Sequence, residues 1–216
     1  MKKLIFAILF LTISISALSQ TSLYENPDFD KIAKSHKKIA IVPFKTQVKL
    51  RPKQMKKMSN EQINNLEKFE GKGVQTALYS WFLKRKTRGK LKTIEIQDTK
   101  TTTALLKRKK ITYNNITDFT PLELANILEV DAVISGEFKT DKPMSNGASI
   151  ALGVLVGFWG TTNNAVINMS VHNAKDGVLL WNYNKKVRGS IGSSPDDLIN
   201  ILMRKASRRL SYTKKN

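Results

Sequence analysis

Short segments rich in β-branched residues alternate with capped helical segments along this chain, and that alternation constrains the fold most strongly. The predicted strands are KKIAIVPF (37–44), TIEIQD (93–98), DAVISGEFK (131–139), AVINMSVHN (165–173) and VLLWNYNKKV (178–187). The last two are joined by Ala-Lys-Asp-Gly at 174–177, in which the glycine suits a tight turn. These two segments therefore predict an antiparallel hairpin.

Capping patterns place helices between the strands. Ser59 with Gln62, and Thr120 with Glu123, are spaced as capping boxes. The first pair predicts a helix that ends near Lys86 and buries one face. The residues predicted for that face are Leu66, Phe69, Gly73, Ala77 and Trp81.

Three further segments complete the predicted order. Residues 45–58 are predicted to form a polar loop, and a short basic helix is predicted to end near Lys109. Ser-Pro-Asp-Asp at 194–197 caps a final helix. Its apolar positions are Leu198, Ile199, Leu202, Met203, Ala206 and Leu210. This order predicts an α/β fold: a single mixed β-sheet of about five strands, three of parallel type plus a C-terminal hairpin, packed by helices.

The first residues have the order of a secretory signal peptide. Lys2 and Lys3 precede an apolar stretch at 4–16, and Ala-Leu-Ser at 17–19 has the small residues of a cleavage site. The apolar stretch is shorter than a membrane span, and an uncleaved anchor is the alternative. The sequence therefore predicts export to the periplasm, with association with the outer membrane left open.

Domain organisation follows from this N-terminus. The predicted units are a signal peptide at 1–19, an N-terminal extension at 20–36 and a single α/β envelope domain at 37–216 with an apolar insert at 144–163. The chain contains no cysteine. Disulfides are therefore excluded, as is a lipid attached through an N-terminal cysteine, and the hydrophobic core alone must hold the domain together.

Positive charge dominates the sequence, whose formal net charge is +20. Lys and Arg number ten in residues 31–60, eleven in 84–110 and six in 204–216. Export argues against nucleic acid as the partner. An anionic membrane surface, an acidic protein or an acidic polymer such as cell-wall glycan would suit this charge, and a solvated surface without a ligand is the alternative. The predicted electrostatic contact residues, in the loop after the first strand, are Lys49, Arg51, Lys53, Lys56 and Lys57.

The run ASIALGVLVGFWG at 148–160 has no charged side chain. It is too short for a transmembrane helix, which needs about 17–25 residues, and it lacks the alternation of a barrel strand. As a short helix it would stack Ser149, Gly153 and Gly157 on one face. Packing within the domain or against a second subunit, a membrane-contacting loop and a barrel strand all stay open. The predicted membrane or partner contact residues are Ile150, Leu152, Val154, Leu155, Phe158 and Trp159.

Three segments resemble the CsgG/LpoB-like family of bacterial envelope proteins. They are KKIAIVPF, LANILEVDAVISGEF (124–138) and VHNAKDGVLLW (171–181). The resemblance implies a fold like the N-terminal domain of TolB and a role in envelope assembly or export. This chain lacks the lipidated cysteine of most members. It also has one apolar insert, whereas the pore-forming members have two pairs of membrane strands.

Signals for catalysis are absent from the sequence. His36 and His172 have no partners at metal-site or triad spacing, and we interpret both as ordinary surface or turn residues. Gly71-Lys72-Gly73 lies within a helical pattern, which is the wrong context for a phosphate loop. Asp196 and Asp197 suit the first turn of a helix. The sequence therefore predicts no enzyme activity, metal, cofactor or small-molecule substrate.

Other residues of the resembling segments have structural interpretations. Asp131 is expected to order the turn before the third strand, Gly136 to allow close backbone approach, and Trp181 to fill the core. The function predicted is that of a non-catalytic exported envelope accessory protein. It would act by binding envelope proteins or by self-association, in the manner of LpoB- and CsgG-like proteins. A membrane-inserted oligomeric secretion-channel component and a periplasmic binder of anionic glycan or lipid are the alternatives.

Overall fold

The computed structural model describes residues 21–50, 52–92, 94–141, 164–188 and 195–213. The predicted signal peptide and the run at 148–160 lie outside these ranges. The strands are β1 (Thr21–Glu25), β2 (Lys38–Ile41), β3 (Lys45–Val48), β4 (Glu95–Ile96), β5 (Ala132–Thr140), β6 (Asn164–Asn173) and β7 (Leu179–Arg188). The helices are α1 (Phe29–Ala33), α2 (Pro52–Met55), α3 (Asn60–Thr87), α4 (Thr99–Arg108), α5 (Pro121–Leu128) and α6 (Pro195–Arg209), with a 3₁₀ turn at Ile116–Asp118.

All seven strands form one mixed sheet, which confirms the predicted α/β class. The strand order is β1-β7-β6-β5-β2-β4, and β3 also pairs with β5. β2 runs parallel to both β4 and β5, as predicted for the first three strands. β5, β6, β7 and β1 follow one another in antiparallel order, so the predicted C-terminal hairpin lies inside the sheet.

Alternating side chains at 39–42, in β2 and directly after it, contribute to two hydrophobic layers on opposite faces of the sheet. Ile39 and Ile41 belong to a core shared with α3 and α6, whereas Ala40 and Val42 face a second core shared with α4 and α5. Period-two alternation in a strand sends successive side chains to opposite faces. The sheet is therefore covered by helices on both faces, with α3 and α6 side by side on one of them.

Two strands were missed by the sequence prediction. The predicted polar loop at 45–58 is wrong, because it contains β3, which pairs with β5, and the short helix α2. β1 is itself an edge strand that pairs with β7, and its three central residues are exposed. Strands with polar or exposed residues give little hydrophobic alternation, which explains why five strands were predicted in place of seven.

Helix α3 begins and ends close to the predicted limits. Ser59 caps it in a complete capping box with Gln62. The predicted buried face is wrong in part, because Phe69 is 41% exposed and Val74, Leu78 and Phe82 form the buried face with Leu66. The buried positions are shifted by about one residue from the predicted ones. A shift of one residue rotates the buried face by about 100° around the helix axis.

The start of β5 is tied to β2 by Asp131. Its carboxylate oxygen Oδ2 accepts hydrogen bonds from the backbone N–H groups of Lys37 and Lys38, at 2.7 and 2.9 Å. The predicted local role in the turn is therefore wrong, since the contacts reach across to a parallel neighbouring strand. Gly136 and Trp181 act as predicted. A Cβ at Gly136 would lie 2.2 Å from the carbonyl oxygen of Asn168, and Trp181 is fully buried.

The β5–β6 pair ends at residues that flank the apolar segment in the sequence. Its last register pair is Thr140 with Ala165. Beyond it, the carboxylate of Asp141 accepts hydrogen bonds from the backbone N–H and the side-chain amide of Asn164, both at 2.9 Å. The described residues on either side of 142–163 are therefore joined by the Asp141–Asn164 contact.

Candidate anion-binding site

Two helix ends that carry cations and no acids meet on one face of the sheet. The sequence has no Asp or Glu from 71 to 94 or from 198 to 216. The first stretch ends α3, and the second forms most of α6 and the residues after it. Because α3 and α6 pack against each other, their cations face a shared surface.

A groove of about 380 Å³ lies between these helices. It is lined by one tryptophan and seven cations, and we call it the basic groove: Trp81, Lys84, Arg85, Arg88, Lys90, Arg204, Lys205 and Arg208. No acidic side chain is among the residues that line it. A ligand in this groove would therefore meet positive charge from both helices.

Arg85 lies between the two helices and is held by α6. Its Nε donates to the hydroxyl oxygen of Ser207 and its Nη2 donates to the backbone carbonyl of Arg204, both at 3.0 Å. Ser207 is fully buried and donates its own hydroxyl to the same carbonyl at 3.2 Å. A guanidinium has five N–H donors, so these contacts orient Arg85 and leave further donors for a ligand.

Trp81 supports the other wall of the basic groove. Its indole Nε1 donates to the amide oxygen of Asn200 on α6, at 3.3 Å. The Lys84 ammonium lies 4.4 Å from the centre of the indole ring, within the range of a cation–π interaction. Together with Arg85, Trp81 makes the spacing between α3 and α6 depend on polar contacts as well as on the hydrophobic core.

Like charges dominate the electrostatics of the basic groove. Partial burial, reinforced by the positive charges of Arg208 and Arg88, lowers the pKa of the Arg85 guanidinium. The ion pairs Lys92–Asp30 and Lys139–Glu137 do not include a residue of the basic groove. The protein therefore concentrates positive charge here without neutralising it by these pairs.

The predicted loop cations lie elsewhere. Lys49 follows β3, Lys53 lies in α2, and Lys56 and Lys57 follow α2; all four are exposed. Arg51 lies outside the described residues. Because these lysines precede the first residue of α3 and the basic groove lies at its far end, about 40 Å of helix separates the two surfaces.

A signal for the basic groove exists in the sequence. Lys84 with Arg88, and Arg204 with Arg208, are like-charged pairs at i, i+4. Such pairs destabilise a helix, and two of them without acids nearby favour a surface that serves a ligand. The sequence could therefore have indicated these residues, although it could not show that the two helices are neighbours.

The predicted apolar contact residues Ile150, Leu152, Val154, Leu155, Phe158 and Trp159 all lie outside the described residues. In the ranges that the structure does cover, no helix combines the length and the apolarity needed to cross a membrane. Within the same ranges, no group of three or more His, Asp or Glu side chains could hold a metal ion.

His36 is not a surface residue, which corrects the sequence prediction. It is 5% exposed, with Nδ1 2.8 Å from the Tyr212 hydroxyl and Nε2 3.1 Å from the amide oxygen of Asn173. The Asn173 amide nitrogen donates to Asp176, so its oxygen accepts from His36 Nε2. Burial lowers the pKa of His36, and it also lowers the pKa of His172. His36 is therefore a neutral, structural side chain that joins the chain termini of the domain.

Comparisons with known proteins give likenesses in structure alone. No protein-family model matches the sequence, and no curated protein sequence matches it. The PelC dodecamer structure from Paraburkholderia phytofirmans is 10% identical, with a TM-score of 0.42 over 91% of this chain and 99% of that one. Lipoprotein GNA1162 from Neisseria meningitidis is 14% identical, with a TM-score of 0.44 over 80% and 96%. The LpoB C-terminal domain from Salmonella enterica is 8% identical, with a TM-score of 0.33 over 74% and 93%.

Proposed function

We propose that this protein is a non-catalytic, exported cell-envelope protein that acts by binding, and that its basic groove binds anionic groups of an acidic envelope partner. One observation carries the proposal. Two helices are held side by side by Arg85 and Trp81, and the groove between them is lined by cations without an acid. Export rests on the predicted signal peptide, and the envelope role rests on the resemblance described from the sequence.

Physical chemistry favours a ligand for this arrangement. Bringing cations together without counter-charges costs stability, and an anion that enters the groove relieves the repulsion. Arginine suits the task because its planar fork binds carboxylate or phosphate groups through two parallel hydrogen bonds. Arg85 is already oriented by Ser207 and by the carbonyl of Arg204, so less side-chain entropy is lost when it binds.

Titration calorimetry with inositol hexakisphosphate tests the proposal, since this compact anion can enter a groove of this size. Residues 20–216 are expected to bind it with a stoichiometry of one in the basic groove. The double variant Arg88→Gln/Arg208→Gln should lose at least about tenfold in affinity, because two charge-assisted contacts are removed. Circular dichroism would verify that the variant keeps its helices.

A matched control tests whether the affinity depends on the basic groove or on positive charge in general. Lys53→Gln/Lys57→Gln removes the same charge from the predicted loop, which lies at the other end of α3. Its affinity for inositol hexakisphosphate should stay within about twofold of the unmodified chain at 0.15 M salt, where charges this far apart are screened. Equal losses in the two variants would contradict a site in the basic groove.

A further inference from the structure

A second cationic groove lies on the other flank of α3, where that helix contacts α4. It has a volume of about 360 Å³. Three lysines and three threonines line it together with Gln75 and Ala104, and we call it the lysine–threonine groove: Lys72, Lys100, Lys107, Thr76, Thr99 and Thr103. Helix α4 carries no acidic residue, and neither does the sequence from 99 to 117. The Thr103 hydroxyl donates to the backbone carbonyl of Thr99 at 2.8 Å, so the donors for the oxygens of an anion are the lysine ammonium groups and the hydroxyls of Thr76 and Thr99.

Helix α3 separates the two grooves but also connects them. Thr76 and Arg85 are nine residues apart, about two and a half turns, so they project from opposite sides of the helix. Thr76, Ser80 and Lys84 instead follow one another at steps of four and form a ridge across its outer surface. Thr76 lines one groove and Lys84 lines the other, about 12 Å further along the axis.

We infer that the ligand is a flexible polyanionic chain, such as a phosphodiester or polycarboxylate polymer, that crosses α3 over Ser80 and occupies both grooves at once. The inference rests on the proposed function, because it assigns the class of ligand for the basic groove. A flat anionic membrane cannot enter two grooves on opposite flanks of one helix. A flexible chain follows the ridge, on which no residue is acidic.

The acidic group beside the lysine–threonine groove does not block this route. Asp98 precedes Thr99, and its carboxylate caps α4 by accepting hydrogen bonds from the backbone N–H groups of Lys100 and Thr101. It also accepts a hydrogen bond from the hydroxyl of Tyr79, near which the charge of Glu95 also lies. Tyr79 is three residues from Thr76 and does not belong to the ridge. The outer surface of α3 therefore offers a path that leaves Asp98 to one side.

If one polymer occupies both grooves, its affinity for the protein should depend strongly on the length of the polymer. Once one segment is bound, the second groove meets the next segment at a high effective concentration. Linking two binding events in this way raises affinity by about 10²–10⁴-fold, provided that the linker can span the sites. A ligand too short to span the ridge gains nothing from the second groove.

The test compares tripolyphosphate, which is too short to span the ridge, with long-chain linear polyphosphate, using the mature chain at residues 20–216. The long chain is expected to bind on the order of a hundredfold more tightly per molecule. Lys100→Gln/Lys107→Gln should remove most of that gain, whereas tripolyphosphate affinity should still depend on Arg88 and Arg208. Lys109→Gln/Lys110→Gln, which removes the same charge just beyond α4, should keep the gain.

Variants at Ser80 test the path across α3. Ser80→Glu, which places an acid on the ridge, should reduce the long-chain gain in affinity, whereas Ser80→Gln should not.

The outcomes separate this inference from the proposed function. If tripolyphosphate binding depends on Arg88 and Arg208 but the long-chain gain survives Lys100→Gln/Lys107→Gln, the polymer inference is overturned and the proposed function stands. If neither polyphosphate responds to Arg88→Gln/Arg208→Gln, the proposed function fails as well. Binding of anionic lipid vesicles that depends equally on Lys100 and Lys107 would overturn the polymer in favour of a membrane surface.

Discussion

Arg85 of α3 donates a hydrogen bond of 3.0 Å from its guanidinium Nε to the hydroxyl of Ser207 on α6. Ser207 donates in turn to the carbonyl of Arg204, which also accepts from Arg85 Nη2. The three groups fix one guanidinium between two helix ends that would otherwise repel each other. The orientation of Arg85 in the basic groove therefore depends in part on Ser207, which is fully buried.

Ser207→Ala tests this dependence. Loss of the hydroxyl frees Arg85, so affinity for inositol hexakisphosphate should fall about three- to tenfold while the free energy of unfolding falls by about 1 kcal/mol. Ser211→Ala is the matched control, since Ser211 is also buried and donates to Glu25 outside the groove. Calorimetry and urea denaturation would measure both effects. An equal affinity loss in the two variants would show that stability, and not the orientation of Arg85, is responsible.

Gly136→Ala should destabilise the sheet by about 3 kcal/mol, in the range found for overpacked cores. A Cβ there would lie 2.2 Å from the carbonyl oxygen of Asn168 and 2.8 Å from Cε1 of Phe44. Gly89→Ala is the comparison: its φ of +65° disfavours a side chain, but nothing lies within 4 Å, so about 1 kcal/mol is expected. Urea denaturation measures both, and a smaller loss for Gly136→Ala than for Gly89→Ala would contradict the close strand contact.

Because of His36, the free energy of unfolding of the domain should be lower in mild acid than at neutral pH. Burial lowers its pKa in spite of the hydrogen bond to Asn173 and the charges of Asp131 and Asp176. The folded state therefore binds fewer protons than the unfolded state, and the free energy of unfolding falls as pH drops below about 6.5 towards the folded pKa. The slope cannot exceed about 1.4 kcal/mol per pH unit for one histidine.

Urea denaturation between pH 7.5 and 5 would measure this slope. His36→Gln keeps a side-chain donor but cannot titrate, so its stability should depend less on pH than that of the unmodified chain. The effect of His172 has the same direction and is present in both proteins, so the difference between them reports His36. Identical slopes would contradict a neutral, buried His36.

Anion binding in the basic groove should not depend on the apolar run at 148–160. The Asp141–Asn164 contact closes β5 and β6 beside it, so replacing the run by a Gly/Ser linker should leave the sheet and the affinity for inositol hexakisphosphate intact. Liposome flotation, with neutral and anionic lipid at low and high salt, then tests whether the run contacts lipid. If it does, the intact chain floats on neutral lipid at high salt and the replacement does not.

A different flotation result would show that the basic surfaces, and not the apolar run, bind the membrane. Binding of both proteins to anionic lipid alone, and only at low salt, would indicate the basic surfaces. The run would then be assigned to the core or to a protein interface. Loss of helical structure in the replacement would instead show that the run is part of the domain core.

Most of the fold could be predicted from the sequence because its signals are local. Ser59 and Thr120 cap helices through residues three positions away, and Gly177 adopts the positive φ that its turn requires. The strands β1 and β3 could not be predicted, because their pairing partners lie far along the chain and supply the hydrogen bonds that define them. Propensity is a weak guide where tertiary pairing decides.

The candidate site was predictable only as charge. Residues 84–110 and 204–216 are visibly basic, but so is the loop at 49–57. That loop also has like-charged pairs at i, i+4, Lys49 with Lys53 and Lys53 with Lys57, so this signal alone does not single out the groove. The distinction comes from the packing of α3 against α6, which turns two charged helix ends into one groove. His36 was misassigned for the same reason, since its partner Tyr212 is 176 residues away.

Backbone ¹H–¹⁵N NMR spectra of residues 20–216, recorded while inositol hexakisphosphate is added, test the central claim most directly. Binding in the basic groove should shift resonances of residues 81–90 and 204–208, including the side-chain Nε–H of Arg85. Those of residues 49–57 should stay unchanged. Shifts centred on residues 49–57, or small shifts spread over all exposed lysines, would contradict an anion-binding groove between α3 and α6.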